Sequence, residues 1–204
     1  MNSISNISAQ RRRLAIIGVA CLTAISFGRY VAACEDEEVT SVQVGKWTIS
    51  SSEKVGEEDA TSRKFPHFKL GHLMDNNART PWVFRGKGQA SFFAPSWGKR
   101  HALSFYRDKK VEIDEIRIMN GYNKRADLFW RNDRVVQLGI GIDGKKLKIA
   151  NLSDKMGWHK VSIPRQKVDD IVLEFVGVRK GRGADNDICV SEIQFYNRGK
   201  RVKP

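Results

Sequence analysis

The sequence predicts an all-β chain, a sandwich or jelly roll of about eight short antiparallel strands, preceded by an N-terminal signal segment. Apolar and polar residues alternate with a period of two along most of its length, as in Ile113 to Met119 and Val135 to Ile142. Turn-forming residues separate these runs. Asp143-Gly144 is the plainest case, because Asp-Gly between alternating apolar runs favours a tight hairpin. No run of about ten residues or more carries the helical apolar period of roughly 3.6, which argues against a helical fold.

The chain starts with polar residues, then the cluster Arg11-Arg12-Arg13, an apolar run from Leu14 to Phe27, and Val31-Ala32-Ala33 before Cys34. A basic start, an apolar core and small residues at the cleavage point make residues 1–33 a secretory signal peptide. The apolar run falls short of the roughly 18–20 residues that span a bilayer, so export is expected rather than a permanent membrane anchor. Val31-Ala32-Ala33-Cys34 resembles a lipobox, in which Cys34 becomes a lipidated N-terminus. The same residues suit ordinary cleavage after Ala33, and both readings stand. The expected location is periplasmic, envelope lipoprotein or secreted.

Cysteine use follows from this. Cys21 leaves with the signal, so Cys34 and Cys189 remain. They form a disulfide in an oxidising compartment, or else Cys34 is lipidated and Cys189 is a small apolar core residue. No Cys/His cluster has zinc-like spacing.

Lys and Arg number 36 against 23 Asp and Glu, a net charge of +13, and four of the arginines lie in the signal segment. What remains is strongly basic. In a cytosolic protein that would indicate nucleic acid; for an exported one the expected partner is a glycan or an anionic envelope surface. A protein partner in the envelope is the alternative, nucleic acid is not expected, and membrane contact would come only through a lipid on Cys34. Residues 34–41, with Glu35-Asp36-Glu37-Glu38, read as an acidic leader. Residues 42–197 read as the folded domain, and 198–204, with Arg198, Lys200, Arg201 and Lys203, as a basic tail.

Within the domain, Val42 to Ser52 alternates around Val44, Trp47 and Ile49 and reads as one strand; Glu53 to Lys64 is a polar loop. Phe65-Pro66-His67 starts a short element. Ala102 to Tyr106, Ile113 to Met119, Val135 to Ile142, Lys145 to Ala150, His159 to Ile163, Ile171 to Val178 and Ile188 to Tyr196 are the remaining strands. The loop from Asn120 to Arg134 is too long for a hairpin turn, and such loops are usually functional. Ala126 to Arg131 can form one helical turn inside it.

Four motifs then fall in order: Asp75-Asn76-Asn77-Ala78-Arg79-Thr80-Pro81-Trp82, Asn120-Gly121-Tyr122, Asn132-Asp133-Arg134, and Asp187-Ile188-Cys189-Val190-Ser191-Glu192-Ile193. Together they resemble discoidin, or coagulation-factor type-C, domains of the galactose-binding-like superfamily. Within it the chain is most similar to the bacterial branch that includes the translocation domain of secreted NAD glycohydrolase toxins. The resemblance covers Val42 to Tyr196. It implies a galactose-binding-like jelly roll whose loops at one end bind glycans or membrane surfaces, and it does not imply catalysis. It also implies that Asp75, Trp82, Asn120, Asn132, Arg134, Cys189 and Glu192 are the structural signature of the domain. The pattern departs from general discoidin domains in lacking an obvious closing pair of cysteines, unless Cys34 reaches Cys189.

Ligand contacts are expected from aromatic and cationic loop residues. Trp97 stands beside Lys99 and Arg100; Tyr122, Asn123, Lys124 and Arg125 open the long loop, and Trp130 and Arg131 close it. Aromatic rings cover apolar faces, and cations pair with carboxylates or sulfates. Trp158 is another loop aromatic that reads first as a packing residue and second as a further ligand contact. Asp185 and Asp187 are the candidates for a structural calcium, but no complete calcium loop surrounds them and a capped turn is the simpler reading; no other cofactor is expected. His67, His72, His101 and His159 are scattered, and no Gly-x-Ser-x-Gly turn occurs. The expected protein is a non-catalytic exported binding module, with an envelope lipoprotein accessory subunit as the alternative.

Overall fold

The computed structural model of the chain describes residues 40–51, 69–85, 101–183 and 187–204. The signal segment, the leader up to residue 39, Phe65-Pro66-His67, Trp97, Lys99, Arg100 and Asp185 lie outside the described residues. Strand alternation places Leu103 and Phe105, Ile116 and Ile118, Leu138 and Ile140, and Leu173 and Phe175 on the inner faces of their strands. All are buried in one core with Trp47, Trp82, Ile193 and Phe195. Burying a side chain of this size contributes about 1.5–3 kcal/mol.

The elements run β1 (Thr40–Val44), β2 (Trp47–Ser51), a 3-10 turn (Leu70–Met74), β3 (Trp82–Arg85), β4 (Ala102–Asn120), α1 (Ala126–Arg131), β5 (Arg134–Ile142), β6 (Lys145–Asn151), β7 (Trp158–Arg179), β8 (Asp187–Asn197) and β9 (Lys200–Arg201). Every strand pair is antiparallel. One layer follows the order β1-β2-β4-β7-β5-β6. The two long strands serve both layers. Residues 102–106 of β4 pair with β2 and with residues 170–174 of β7, whereas residues 115–119 pair with β8 and with residues 158–162 of β7. The register shifts between Tyr106 and Val111 mark the crossing. The result is a jelly-roll β-sandwich.

Several boundaries differ from the sequence reading, each for a local reason. The stretch read as one strand from Val42 is a hairpin of Thr40–Val44 and Trp47–Ser51, because Gly45 takes a φ of +59° and turns the chain at Gly45-Lys46. The two strands expected on either side of Asp108-Lys109-Lys110 are one, and so are those on either side of Pro164; charged residues interrupt the apolar period without ending the extended backbone. Asp143 and Gly144, with φ of +47° and +74°, make the tight β5–β6 turn. Within 198–204, Lys200–Arg201 pairs with β8 and Val202 donates its N–H to the Phe195 carbonyl at 2.8 Å, so part of the basic tail belongs to the sheet. Among the described residues Cys189 is a free, buried thiol, Cys34 lying outside them; burial raises its pKa.

Gly121 combines a left-handed backbone with a close approach to a buried ring. Its φ is +77°, and a Cβ there would lie 2.7 Å from two ring carbons of Phe129. Left-handed backbone costs an L-residue about 1–2 kcal/mol, and overpacking adds a similar amount. Gly121→Ala is therefore expected to destabilise the protein by about 2–4 kcal/mol, measured as a shift of the urea midpoint.

Candidate functional site

Three loops meet at one end of the sandwich. They are the β4–β5 loop that carries α1, the β6–β7 loop, and the β7–β8 loop. Each brings backbone groups with no sheet partner, and these are satisfied by side chains from neighbouring loops. Asn123 is the first link: its carboxamide donates to the carbonyls of Asn120 and Gly121 at 2.6 and 3.0 Å, and its oxygen accepts the Gly157 N–H at 2.7 Å. The second link is Asp133, whose carboxylate accepts the Gly181 N–H at 2.8 Å, while Arg182 and Gly183 donate backbone N–H groups to the carbonyls of Trp130 and Arg131 at 2.9 Å.

Arg134 is the third and strongest link. Its guanidinium is buried at the start of β5. It donates from Nε to Asp154 at 2.7 Å and from Nη2 at 3.2 Å, and from Nη1 to the carbonyls of Asn132 and Phe129 at 2.8 and 3.1 Å. Its face lies 5.0 Å from the Phe129 ring and 5.1 Å from the Trp130 ring. Asp154 also accepts from Arg179 at 3.1 Å. Hydrogen bonding from Arg134, its largest influence, holds the Asp154 carboxyl below its ordinary pKa.

Beneath the loops, Asn120 is fully buried, donating to the Val135 carbonyl and accepting the Val135 N–H at 3.0 Å. Asn132 donates to the Leu128 carbonyl at 2.8 Å and closes α1, which spans the residues assigned to a helical turn. At the start of β7, His159 reaches back to the β6–β7 loop, 3.3 Å from the Ser153 hydroxyl and 3.1 Å from the Lys155 carbonyl, and burial lowers its pKa. These contacts fold the loop back on itself.

A second polar knot sits under the Asp75–Trp82 turn. Asp75 accepts the Asn77 N–H at 2.8 Å and the Thr80 hydroxyl at 2.7 Å. Asn76, with a φ of +63°, donates its N–H to both oxygens of Glu192 at 3.1 Å. Arg201 donates to the Asn76 side chain at 2.8 Å and to Glu192 at 3.4 Å. Glu192 is 1 % exposed, and burial is the main cause that raises its pKa to about 7. Trp82, the next residue along from Pro81, is fully buried.

The sequence-derived contact residues thus separate by what they touch. Asn123 is committed to the protein's own backbone. Trp130 is flanked by Arg134 and by Arg182, which lies 6.0 Å from its ring. Arg125 pairs with Asp127 at 2.7 Å in an exposed bridge worth little, and Arg131 is exposed at the end of α1. Lys124 is exposed, and Tyr122 is half-buried with its pKa raised chiefly by burial. Residues that sequence reading did not select are Lys155 and Lys160, exposed on either side of Trp158, which is 36 % exposed. Asp187 starts β8, and no cluster of three or more His, Cys, Asp or Glu suited to a metal occurs among the described residues. A shallow depression of about 380 Å³ lined by Gly141, Gly144, Lys145 and Val172 lies at the far end of β5, away from the three loops.

A family model described as NAD glycohydrolase translocation F5/8 type C domain matches residues 44–196. No curated protein matches the chain. Among solved structures, the family 32 CBM of Clostridium perfringens NanJ, in complex with galactose, is 15% identical with a TM-score of 0.51, covering 78% of this chain and 99% of that one. A putative chitobiase fragment from Bacteroides thetaiotaomicron is 13% identical with a TM-score of 0.52, covering 86% and 98%. The arabinofuranosyltransferase AftD from Mycobacteria is 12% identical with a TM-score of 0.56; 81% of this chain is covered, but it spans only 12% of that longer protein. At these identities the likeness is one of fold.

Proposed function

This chain belongs to the NAD glycohydrolase translocation F5/8 type C domain family, and on that premise we propose that it is a non-catalytic exported module that binds glycans or an anionic envelope surface through its three-loop end. The observation that carries the reading is the lacing of that end. Buried Arg134 and Asp133, with half-buried Asn123, satisfy the loop backbones internally, which leaves Tyr122, Lys124, Arg182 and Trp158 on a frame that does not need a ligand to hold it. Preorganisation of this kind lowers the entropy lost on binding. A sandwich of the same fold in NanJ holds galactose, which supports a sugar as the ligand class.

Among the described residues, no pair at this end has the layout of a general acid and base. Asp133 and Asp154 are engaged with backbone and arginine, and His159 is tied to its own loop. The test is a glycan array with the purified exported protein at moderate salt, followed by mass analysis of the retained glycans. Retention without a mass change is expected. A protein that retains no glycan and no anionic envelope fraction is not this module. Intact-mass analysis of the same preparation reads out cleavage before residue 34 and any lipid on Cys34.

A further inference from the structure

We propose that the contact surface of this end centres on Trp158 with Lys124, Lys155 and Lys160, and that it takes an acidic saccharide, one carrying carboxylate or sulfate. This rests on the glycan-binding reading above and specifies the ligand class and the residues that choose it.

Trp158 begins β7, opposite Met119 on β4, and keeps 36 % of its surface exposed. Lys160 follows two positions later, so it points from the same face of the strand. Lys155 lies three residues earlier in a loop folded tightly by the His159 contacts with Ser153 and the Lys155 carbonyl. Lys124 is brought in by its neighbour Asn123, whose side chain holds the Gly157 N–H at 2.7 Å, one residue from the tryptophan. The topology thus gathers one exposed indole and three exposed ammonium groups from two loops and a strand start.

None of these lysines has an acidic partner among the described residues. The one carboxylate in the loop, Asp154, is turned inward to Arg134 and Arg179 and is already shared between two cations. Exposed ammonium groups with no carboxylate partner favour an anionic ligand over a cationic one. The indole supplies an apolar face for a sugar ring, and the lysines supply point charges that accept an anion over a range of geometries. Trp130 is less suited to the platform role because Arg134 and Arg182 stand over its ring.

A flat anionic lipid surface fits less well. Among the described residues the other large exposed apolar side chains, Tyr106 and Ile149, lie on β4 and β6 and not in these loops, so no apolar cluster of described residues accompanies Trp158 for insertion.

The test uses the purified full chain and three probes: a hexuronate oligosaccharide, a neutral galactose oligosaccharide of the same length, and vesicles containing anionic phospholipid. The hexuronate is expected to bind at least about tenfold more tightly than the neutral sugar. Trp158→Ala should weaken it by about tenfold, and the double variant Lys155→Ala, Lys160→Ala should weaken it and flatten its salt dependence. Neutral-sugar binding that equals hexuronate binding and ignores the lysine variant would overturn the acidic specificity while leaving glycan binding intact. Hexuronate binding unaffected by both variants would overturn the assignment of the site. Binding to vesicles in preference to the hexuronate would overturn the ligand class, and retention of no sugar at all would remove the parent reading and this one with it.

Discussion

Replacing Arg134 with methionine is expected to lower the stability of the domain by about 3–5 kcal/mol, because a buried charge network loses its central member. Methionine fills much of the space, but Asp154 loses both bonds to the guanidinium and the carbonyls of Phe129 and Asn132 lose their donor. Arg134→Lys should recover little, since one ammonium cannot reach a carboxylate and two carbonyls in the fork geometry that arginine uses. The change also has a pH signature. The folded-state pKa of Asp154 is depressed, so its contribution is present above the ordinary carboxylate pKa and is lost as pH falls through the folded value. The stability gap between wild type and variant should therefore be wide at neutral pH and narrow in acid below about pH 4. Urea unfolding across that range measures it, and curves that stay parallel would sink the argument. Hydrogen exchange should show the three loops loosening before the core strands.

At Glu192 the pH dependence runs the other way. Its folded-state pKa is raised to about 7, so the stability associated with it is full below the ordinary carboxylate range and is lost as pH rises through about 7. The expected loss between about pH 5 and pH 8 is on the order of 2–3 kcal/mol. Glu192→Gln keeps an acceptor for the Asn76 N–H and removes the buried charge, so its stability should be nearly flat over that interval. Glu192→Ala should be weaker at every pH, by about 1–3 kcal/mol, because the Asn76 N–H and Arg201 lose their acceptor. Thermal unfolding of the three proteins at pH 5 and pH 8 separates these cases. A wild type as flat as Glu192→Gln would falsify the raised carboxyl pKa.

The two networks show why the site was only partly legible in the sequence. Asn120, Asn132, Arg134 and Glu192 stand out in the motifs, yet their partners do not. Arg134 finds Asp154 20 positions away, and Glu192 finds Asn76 116 positions away. Such pairings depend on which strands lie side by side, and residue spacing alone does not encode that. Asn123 and Trp130 carried the right chemistry for ligand contact as isolated residues; the fold engages one with Gly157 and flanks the other with arginines. Lys155 and Lys160 carried no motif; the start of β7 sets them on either side of Trp158, and the Asn123–Gly157 hydrogen bond ties the β4–β5 loop to that start.

By itself the sequence determined the β class, most strand positions, the Asp143-Gly144 hairpin and the turn of helix at Ala126 to Arg131. These follow from alternation, turn chemistry and short-range hydrogen bonds, which act between residues close along the chain. Tertiary structure alone decided that charged Asp108-Lys109-Lys110 continues a strand between two layers, that Lys200–Arg201 belongs to the sheet, and that Cys189 is buried. It also decided which cations are neutralised and which remain exposed. The physical reason is the same in each case: burial and pairing are set by residues distant in sequence, and the free energy of a charge depends on what the fold brings to it.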